Sequence, residues 1–297
     1  MTEKAPYTLR QNRLAEAIGR AGLKGLALNP SPSLVYLTGL HFHLMERPVI
    51  ALFTAQQPPV LITPELEAAK TAHLSYPAQV MLYGEDPGKW ADVFRQGAQA
   101  AGLSAGEIGV EPTGLRFLEL RLLEKALPQA HFISAADTLA SLRMCKDENE
   151  VAAMRRAVEI AQRGLQAVLP IIKAGMTEKA IAGELTLQLL RAGSDAQFPF
   201  SPIVSGGPNS ANPHAVPTER PLQNGDLLVI DWGAIFDGYV SDLTRTFAIG
   251  AVGDELRNIV EIVLQANIAG RAAGRPGVPA SAVDQAARQV IEKAGYG

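Results

Sequence analysis

The chain has 297 residues, 47% of them hydrophobic and 19% charged, and carries a formal net charge of -3. This length favours two domains, and the hydrophobic content excludes an intrinsically disordered chain. Acidic and basic residues are spread along the sequence. Because there is no basic stripe of the kind that binds a phosphate backbone, we expect no nucleic acid partner.

The N-terminal segment, residues 1–20, is charged and amphipathic and lacks the apolar run of a secretory signal. No apolar stretch approaches the ~20 residues that are needed to cross a bilayer. We therefore expect a cytoplasmic protein with no membrane partner. Cys145 is the single cysteine and has no thiol partner for a disulfide or a zinc site, so we expect it to be a small buried hydrophobic residue.

Helical and β-rich segments alternate through the first half of the chain. A helix is predicted over residues 9–20, followed by four β-rich runs, GLALN, LVYLTG, VIALFT and PVLITP. Further helices are predicted over 64–73, 88–101 and 113–126, and further strands over 80–83, 108–110 and 131–134. The pattern predicts an α/β domain over residues 1–137.

A second domain is predicted over residues 138–297. It begins with a long helix over 147–172 and a second helix after Gly175, with Thr177 as its N-cap. Two β-runs follow, DLLVIDWGAIF and YVSDLTRTFAIG, joined at Asp237 and Gly238. Asp-Gly between two β-runs is a strong hairpin signal. Helices over 254–273 and 280–294 complete the pattern.

Two carboxylates lie in the apolar strands of this hairpin. Asp231 is in the first β-run and Asp242 in the second, among Val, Ile, Leu, Trp and Phe residues. Burying an ionised carboxylate costs several kcal/mol unless a cation or hydrogen-bond donors offset it. A divalent metal would offset this cost, and two metals sharing a carboxylate could activate a water molecule. The alternative is a strand-end carboxylate bonded to backbone amides.

The run PHAVPTERPLQNGDLLVIDWGAIFDGYVSDLTRTF resembles the proline-specific pita-bread metallopeptidases, which are the Xaa-Pro aminopeptidases and Xaa-Pro dipeptidases. The run YLTGLHFHLMERP is similar to their N-terminal domain, and LRMCKDENEVAAMRRAV is similar to their linking helix. The resemblance covers nearly the whole chain. It implies an α/β N-terminal domain of the creatinase/prolidase type followed by an α+β pita-bread catalytic domain, and a homodimer.

The resemblance also implies roles for individual residues. Asp231 would chelate one of two divalent ions and Asp242 would bridge both, with Mn favoured over Co, Zn or Fe. His214 would assist at the scissile amide; without the resemblance it is a loop histidine bonded to backbone. Thr244 lies two residues past Asp242, on the same strand face, where it can hydrogen-bond to a metal-bound carboxylate or water.

Four further side chains are candidates for substrate binding or for packing. His41 and His43 are expected to form a solvent-facing pair, with substrate binding across a subunit interface as the alternative. Phe198 and Phe200 flank Pro199, and we expect them to pack in the core or to form an apolar wall for a substrate side chain.

The family's site uses two Asp, one His and two Glu, and the last three are absent from this sequence. We therefore expect a chain truncated before its C-terminal metal ligands, or a natural short form, and little or no activity from the chain alone. The expected parent function is metal-dependent hydrolysis of the peptide bond preceding proline, on peptides with proline at the second position. The alternatives are a creatinase-like amidinohydrolase and a non-enzymatic scaffold.

Overall fold

The computed structural model describes residues 5–297, so residues 1–4 of the charged N-terminal segment lie outside it. The chain divides into two compact units, Met1–Asp147 and Glu148–Gly297. This division falls after the predicted boundary between 137 and 138, which stays a prediction. Among the described helices, none is both long enough and apolar enough to cross a membrane.

The first unit is a mixed sheet with helices on both faces. Its helices are α1 (Ala5–Arg20), α2 (Pro32–Thr38), α3 (Ala68–Thr71), α4 (Trp90–Ala100), α5 (Phe117–Ala126) and α6 (Ala136–Arg143). Its strands are β1 (Gly25–Leu28), β2 (Ile50–Phe53), β3 (Val60–Pro64), β4 (Gln79–Tyr83), β5 (Ala105–Val110) and β6 (Gln129–Ser134). The strand order is β4-β3-β2-β1-β5-β6, antiparallel at β1–β2 and β2–β3 and parallel elsewhere.

Apolar side chains fill both sides of this sheet. Phe94 and Leu123, from α4 and α5, lie in one buried cluster, and Leu14 and Leu37, from α1 and α2, lie in another. Strands β1 to β3 are buried along their whole length. A strand covered on both faces is apolar at every position, which is why these runs read as continuous rather than alternating.

The prediction of a strand for LVYLTG is wrong, because this run lies in helix α2. The Ser31 side chain accepts a hydrogen bond from the Leu34 amide, and Pro32 occupies the first turn. Gly39 ends the helix in the left-handed conformation, with φ of 70°. These start and stop residues outweigh the strand propensity of the residues between them.

The expectation of a buried Cys145 is also wrong, because its side chain is exposed. It lies in the irregular segment that follows α6, where no strand or helix turns it inward. The expectation for His41 and His43 is met, since both are exposed.

The second unit contains four helices and a small antiparallel sheet, and the first two of these helices pack against the sheet. Its helices are α7 (Glu148–Val168), α8 (Glu178–Arg191), α9 (Asp254–Ala273) and α10 (Ala280–Lys293). Its strands are β7 (Ile203–Gly206), β8 (Leu227–Trp232), β9 (Ile235–Phe236), β10 (Tyr239–Val240) and β11 (Leu243–Ala248). Strand β8 lies between β11 and β7, and β9 pairs with β10.

One apolar cluster joins α7 and α8 to one face of the β8 sheet. Ile160 from α7 and Leu185 from α8 meet Ile230 and Trp232 from β8 in this cluster. The Trp232 indole donates a hydrogen bond to the Ala161 carbonyl at 2.8 Å, which satisfies its buried polar group. The packing therefore assigns Ile230 and Trp232 to the inner face and leaves the alternate residues on the other face.

The predicted hairpin is present and turns at Asp237 and Gly238. Phe236 pairs with Tyr239 across the turn, and the two turn residues have φ of 51° and 75°. Positive φ at both central residues is the geometry of a type I′ turn, whose twist matches that of paired strands. Asp tolerates this backbone region better than most residues, and Gly adopts it freely.

Two glycines on adjacent helices give opposite predictions for stability. A Cβ at Gly164 would lie 2.6 Å from Leu189 Cδ2 in the buried core, whereas a Cβ at Gly183 would meet nothing within 4 Å. Gly164→Ala should destabilise the unit by ~1 kcal/mol or more, because overpacking exceeds the gain in helix propensity. Gly183→Ala should stabilise it by ~0.5–1 kcal/mol.

Urea unfolding of both variants in a Trp90→Phe background would measure these changes, since Trp232 is then the sole tryptophan and reports on the second unit. Equal stabilisation by both alanines would contradict the close packing of α7 against α8.

Candidate active site

Asp231 lies on the face of β8 that points away from the α7 and α8 core. It is half-buried, and Thr244 on β11 and Ile203 on β7 stand opposite it in the two strand registers. One carboxylate oxygen, Oδ1, is buried and has no hydrogen-bond partner among the described residues. A buried oxygen without a hydrogen bond carries a desolvation cost.

The charges around Asp231 show which side chains lie near it. Burial raises the pKa of the Asp231 carboxyl, and the neighbouring Asp242 carboxylate raises it further. The Thr244 hydroxyl and the His214 ring lower the same pKa. The net direction is upward, because burial is the largest contribution. Thr244 thus stands opposite Asp231 in the strand register, and Asp242 and His214 lie close enough for their charges to act on the Asp231 carboxyl.

Backbone packing after β8 brings Asp242 towards Asp231. The Ser241 amide donates to the Ala234 carbonyl at 2.9 Å, and the Ala234 amide donates to the Ser241 hydroxyl at 3.0 Å. A Cβ at Gly233 would lie 2.1 Å from the Ser241 carbonyl oxygen, so only glycine allows this approach. Asp242 itself is exposed and lies between β10 and β11, so the prediction that it stands on a strand is wrong. The ladder is interrupted there, because the Ser241 backbone bonds to Ala234.

His214 lies in the segment between β7 and β8. Its amide donates to the Asn212 side chain at 3.1 Å, a local turn that holds the backbone but leaves the ring exposed. This backbone bond fits the alternative of a loop histidine. The ring also lies close enough for its charge to lower the pKa of the Asp231 carboxyl.

Two buried carboxylates near this segment were missed by sequence reasoning. Asp226 binds Arg220 through two hydrogen bonds of 2.7 and 3.0 Å, and Glu178 accepts hydrogen bonds from residues on both sides of His214. The Gly-Asp pair before β8 is the one sequence feature that could have pointed to Asp226. No sequence feature points to Glu178, because an acidic residue in the first turn of a helix is usually exposed and is explained by the helix dipole.

Phe198 and Phe200 are half-buried beside α8. Phe198 packs against the apolar cluster of the second unit, as expected. Both rings also line an open crevice of about 630 Å³ with Thr186 and Pro217.

The residues present fit a divalent cation. Asp231 and Asp242 supply hard oxygen ligands, and the partnerless Oδ1 atom is a free acceptor for one. Within residues 5–297, no group of three or more His, Cys, Asp or Glu side chains is arranged to hold a metal ion. Among the described residues, Asp231 and Asp242 are thus the two candidate ligands, and Thr244 stands opposite Asp231 in the strand register.

The chain matches two family descriptions in sequence. Residues 10–145 match the creatinase/prolidase N-terminal domain, and residues 152–297 match metallopeptidase family M24. An Xaa-Pro dipeptidase from Lactobacillus delbrueckii is 30% identical over 90% of this chain and 73% of its own length.

Solved structures of dipeptidases are similar to this chain over nearly its whole length. The dipeptidase PepE from Mycobacterium ulcerans superposes with a TM-score of 0.87 and 31% identity, over 99% of this chain and 78% of its own. A dipeptidase from Pyrococcus horikoshii OT3 superposes with a TM-score of 0.88 and 35% identity, over 97% and 79%.

The chain belongs to metallopeptidase family M24 and is a hydrolase of that family. The resemblance to the pita-bread peptidases and the predicted order of an α/β N-terminal domain followed by a catalytic domain are confirmed.

The Arg220–Asp226 pair generates a prediction about pH. The hydrogen bonds from Arg220 hold the pKa of Asp226 below its usual value. A lowered folded-state pKa stabilises the fold fully above the unfolded value of about 3.9, and this contribution is lost as pH falls through the folded pKa. Asp226→Asn should therefore cost on the order of 2 kcal/mol at pH 7 and progressively less below pH 4.

Urea unfolding at several pH values would measure this difference. Asp284→Asn is the matched control, because Asp284 also accepts two hydrogen bonds from an arginine, Arg288, on an exposed helix face. It should change stability little at any pH, since solvent screens the pair. A pH-independent loss in Asp226→Asn would contradict the assignment.

Proposed function

We propose that this chain carries part of a divalent-metal centre for hydrolysis of the peptide bond preceding proline, with Asp231 and Asp242 as ligands. The observation that carries the proposal is the buried, partnerless oxygen of Asp231 beside a second carboxylate. Two close carboxylates repel each other, and a cation between them converts that repulsion into attraction. Family membership supports the same assignment.

The proposed centre takes two divalent ions. Carboxylate ligands suit Mn, which we favour, and also Co, Zn or Fe. Bound there, the ions would supply a Lewis acid for the substrate carbonyl and an activated water. Asp231 would hold one ion and Asp242 both. Thr244, opposite Asp231 in the strand register, would orient the Asp231 carboxylate.

His214 is proposed to assist at the amide nitrogen of the substrate. Hydrolysis before proline releases a secondary amine, whose nitrogen must gain a proton as the bond breaks. An exposed imidazole ring can carry that proton near neutral pH from either ring nitrogen. The proline at the second position of the substrate follows from the relatives, one of which is named an Xaa-Pro dipeptidase. Cytoplasmic location and homodimeric assembly are part of the same proposal, and the homodimer is what the family resemblance implies.

Two carboxylates bind divalent ions weakly, because affinity rises with the number of charged ligands. We therefore propose that these 297 residues alone hydrolyse peptides slowly or not at all. Metal binding is then the direct test for this chain, and peptide hydrolysis by the full-length protein is a second test.

Titration of Mn²⁺ against the chain, followed by the electron paramagnetic resonance signal of the free ion, would measure binding. Asp231→Asn and Asp242→Asn should each weaken binding more than ~10-fold, since each removes one charged ligand. Thr244→Val should weaken it ~10-fold, because the supporting hydroxyl is lost.

Asp237→Asn is the matched control for the metal titration. It makes the same chemical change in the same hairpin, at an exposed turn residue, and should bind Mn²⁺ like the wild type. Equal binding by all variants, or none by the wild type, would refute the metal centre.

The complete gene product, supplied with Mn²⁺, should hydrolyse Leu-Pro and leave Leu-Ala intact. His214→Ala should lower kcat by ~10²–10⁴-fold, the usual contribution of a positioned proton donor. Initial rates of amino acid release would measure both effects. Equal cleavage of the two dipeptides would contradict the proposed proline preference. Hydrolysis of creatine without added metal would favour an amidinohydrolase instead.

A further inference from the structure

Glu178 is a fully buried carboxylate that four uncharged donors surround. Its Oε1 atom accepts from the Gly206 amide at 2.7 Å. Its Oε2 atom accepts from the Asn209 side chain at 2.9 Å, and from the amide and hydroxyl of Thr218 at 2.9 and 2.7 Å. Among residues 5–297 it makes no ion pair with Lys or Arg within 4.0 Å.

Helix capping does not account for this arrangement. Thr177 is the N-cap of α8, and its hydroxyl accepts from the Ala180 amide at 3.2 Å. The Glu178 side chain points away from its own helix, to strand and loop residues. The Lys179 amide also donates to the Thr218 carbonyl at 3.1 Å. The start of α8 therefore both donates hydrogen bonds to Thr218 and accepts them from it.

The donors to Glu178 lie on both sides of His214 in the chain. Gly206 ends β7 and Asn209 lies in the turn that follows, both before His214, while Thr218 comes after it. The Asn209 side chain also donates to the Val216 carbonyl at 3.5 Å, across the same loop. We call residues 206–218 the His214 segment.

Within the His214 segment, His214 has little support of its own. Its ring is exposed, and its amide bonds only to Asn212, two residues earlier. Val216 is 75% exposed. The residue after His214, Ala215, is buried, and its amide donates to the Asn212 carbonyl at 3.2 Å. The position of the ring therefore depends on this short turn and on where the two ends of the segment are held.

We infer that Glu178 is a positioning residue that joins both ends of the His214 segment and thereby sets where the His214 ring stands relative to Asp231. The inference rests on the proposed role of His214 in peptide hydrolysis. The charge on Glu178 is needed because only a carboxylate offers enough lone pairs, without any donor, to accept all four hydrogen bonds. Burial raises the pKa of Glu178 and the four bonds lower it, with a net direction below the usual value, so it is ionised at neutral pH.

Glu178→Gln tests the inference without changing the size of the side chain. The amide NH₂ would face the Thr218 and Asn209 donors, so at least two bonds are lost. Hydrogen–deuterium exchange of the 297-residue chain should then become ~10-fold faster or more at 207–217, with α7 and α10 unchanged. Glu184→Gln is the control, because Glu184 lies on the same helix and binds only Gln188. Unchanged exchange at 207–217 in Glu178→Gln would overturn the inference.

Kinetics of the complete gene product on Leu-Pro separate positioning from a purely structural role. Glu178→Gln should lower kcat by ~10²-fold with a smaller change in KM, because a misplaced group costs about this much. In a His214→Ala background, Glu178→Gln should cause no further loss, since it acts through His214. The positioning role would be overturned if the losses from the two substitutions were fully additive. It would also be overturned if Glu178→Gln kept the wild-type kcat while His214→Ala was inactive. A fully active His214→Ala enzyme would overturn the proposed role of His214 and this inference with it.

Thr218→Val provides a milder variant should Glu178→Gln fail to fold. Thr218 is exposed, and the change removes one hydroxyl donor to Glu178 while the backbone donor stays. Exchange at 207–217 should rise and kcat should fall in the same direction as in Glu178→Gln. Thr218→Ser keeps the hydroxyl and should restore both. A wild-type kcat and wild-type exchange in Thr218→Val would contradict the inference.

Discussion

The register between β8 and β11 is the constraint on which the candidate site depends. A slip of one residue would turn every side chain of a strand to the opposite face of the sheet. The I′ turn at Asp237 and Gly238 and the close contact of Gly233 with Ser241 hold the pairing in place. Ile230 and Trp232 then face the core, and Asp231 faces Thr244 on the other side.

Three carboxylates of the second unit show three ways of placing a charge in partly apolar surroundings. Asp226 is neutralised by Arg220, and Glu178 is solvated by four uncharged donors. The pKa of each lies below its usual value. Asp231 differs, because its pKa is raised and one buried oxygen has no partner. Of the three carboxylates, Asp231 is therefore the one whose charge a nearby cation would stabilise most.

Asp226 and Glu178 stabilise different segments that lead to the candidate site. The Arg220–Asp226 pair lies directly before β8, and Glu178 holds the segment that carries His214. Neither Asp226 nor Glu178 needs to touch a substrate for its loss to matter. Their bonds set the positions of groups that would, and a catalytic group is useful only when it is held at the reacting atoms.

Local signals in the sequence were sufficient for the hairpin, for the Thr177 cap and for helix α9, because each depends on residues close together in the chain. They also pointed to Asp231 and Asp242, since carboxylates within apolar strands are conspicuous. Local signals failed at LVYLTG, where strand propensity was trusted over Ser31 and Gly39. Cys145 failed for a different reason, since residue type alone does not determine exposure.

The amino-acid sequence by itself determined the family, the class of fold and the side chains that could carry chemistry, because these follow from residue types at short spacings. Only the tertiary structure decided that Glu178 is buried and that its donors come from both sides of His214. It also decided that one Asp231 oxygen is buried without a hydrogen-bond partner within residues 5–297. The physical reason is that desolvation and hydrogen bonding depend on distances between residues far apart in the chain, which no local pattern encodes.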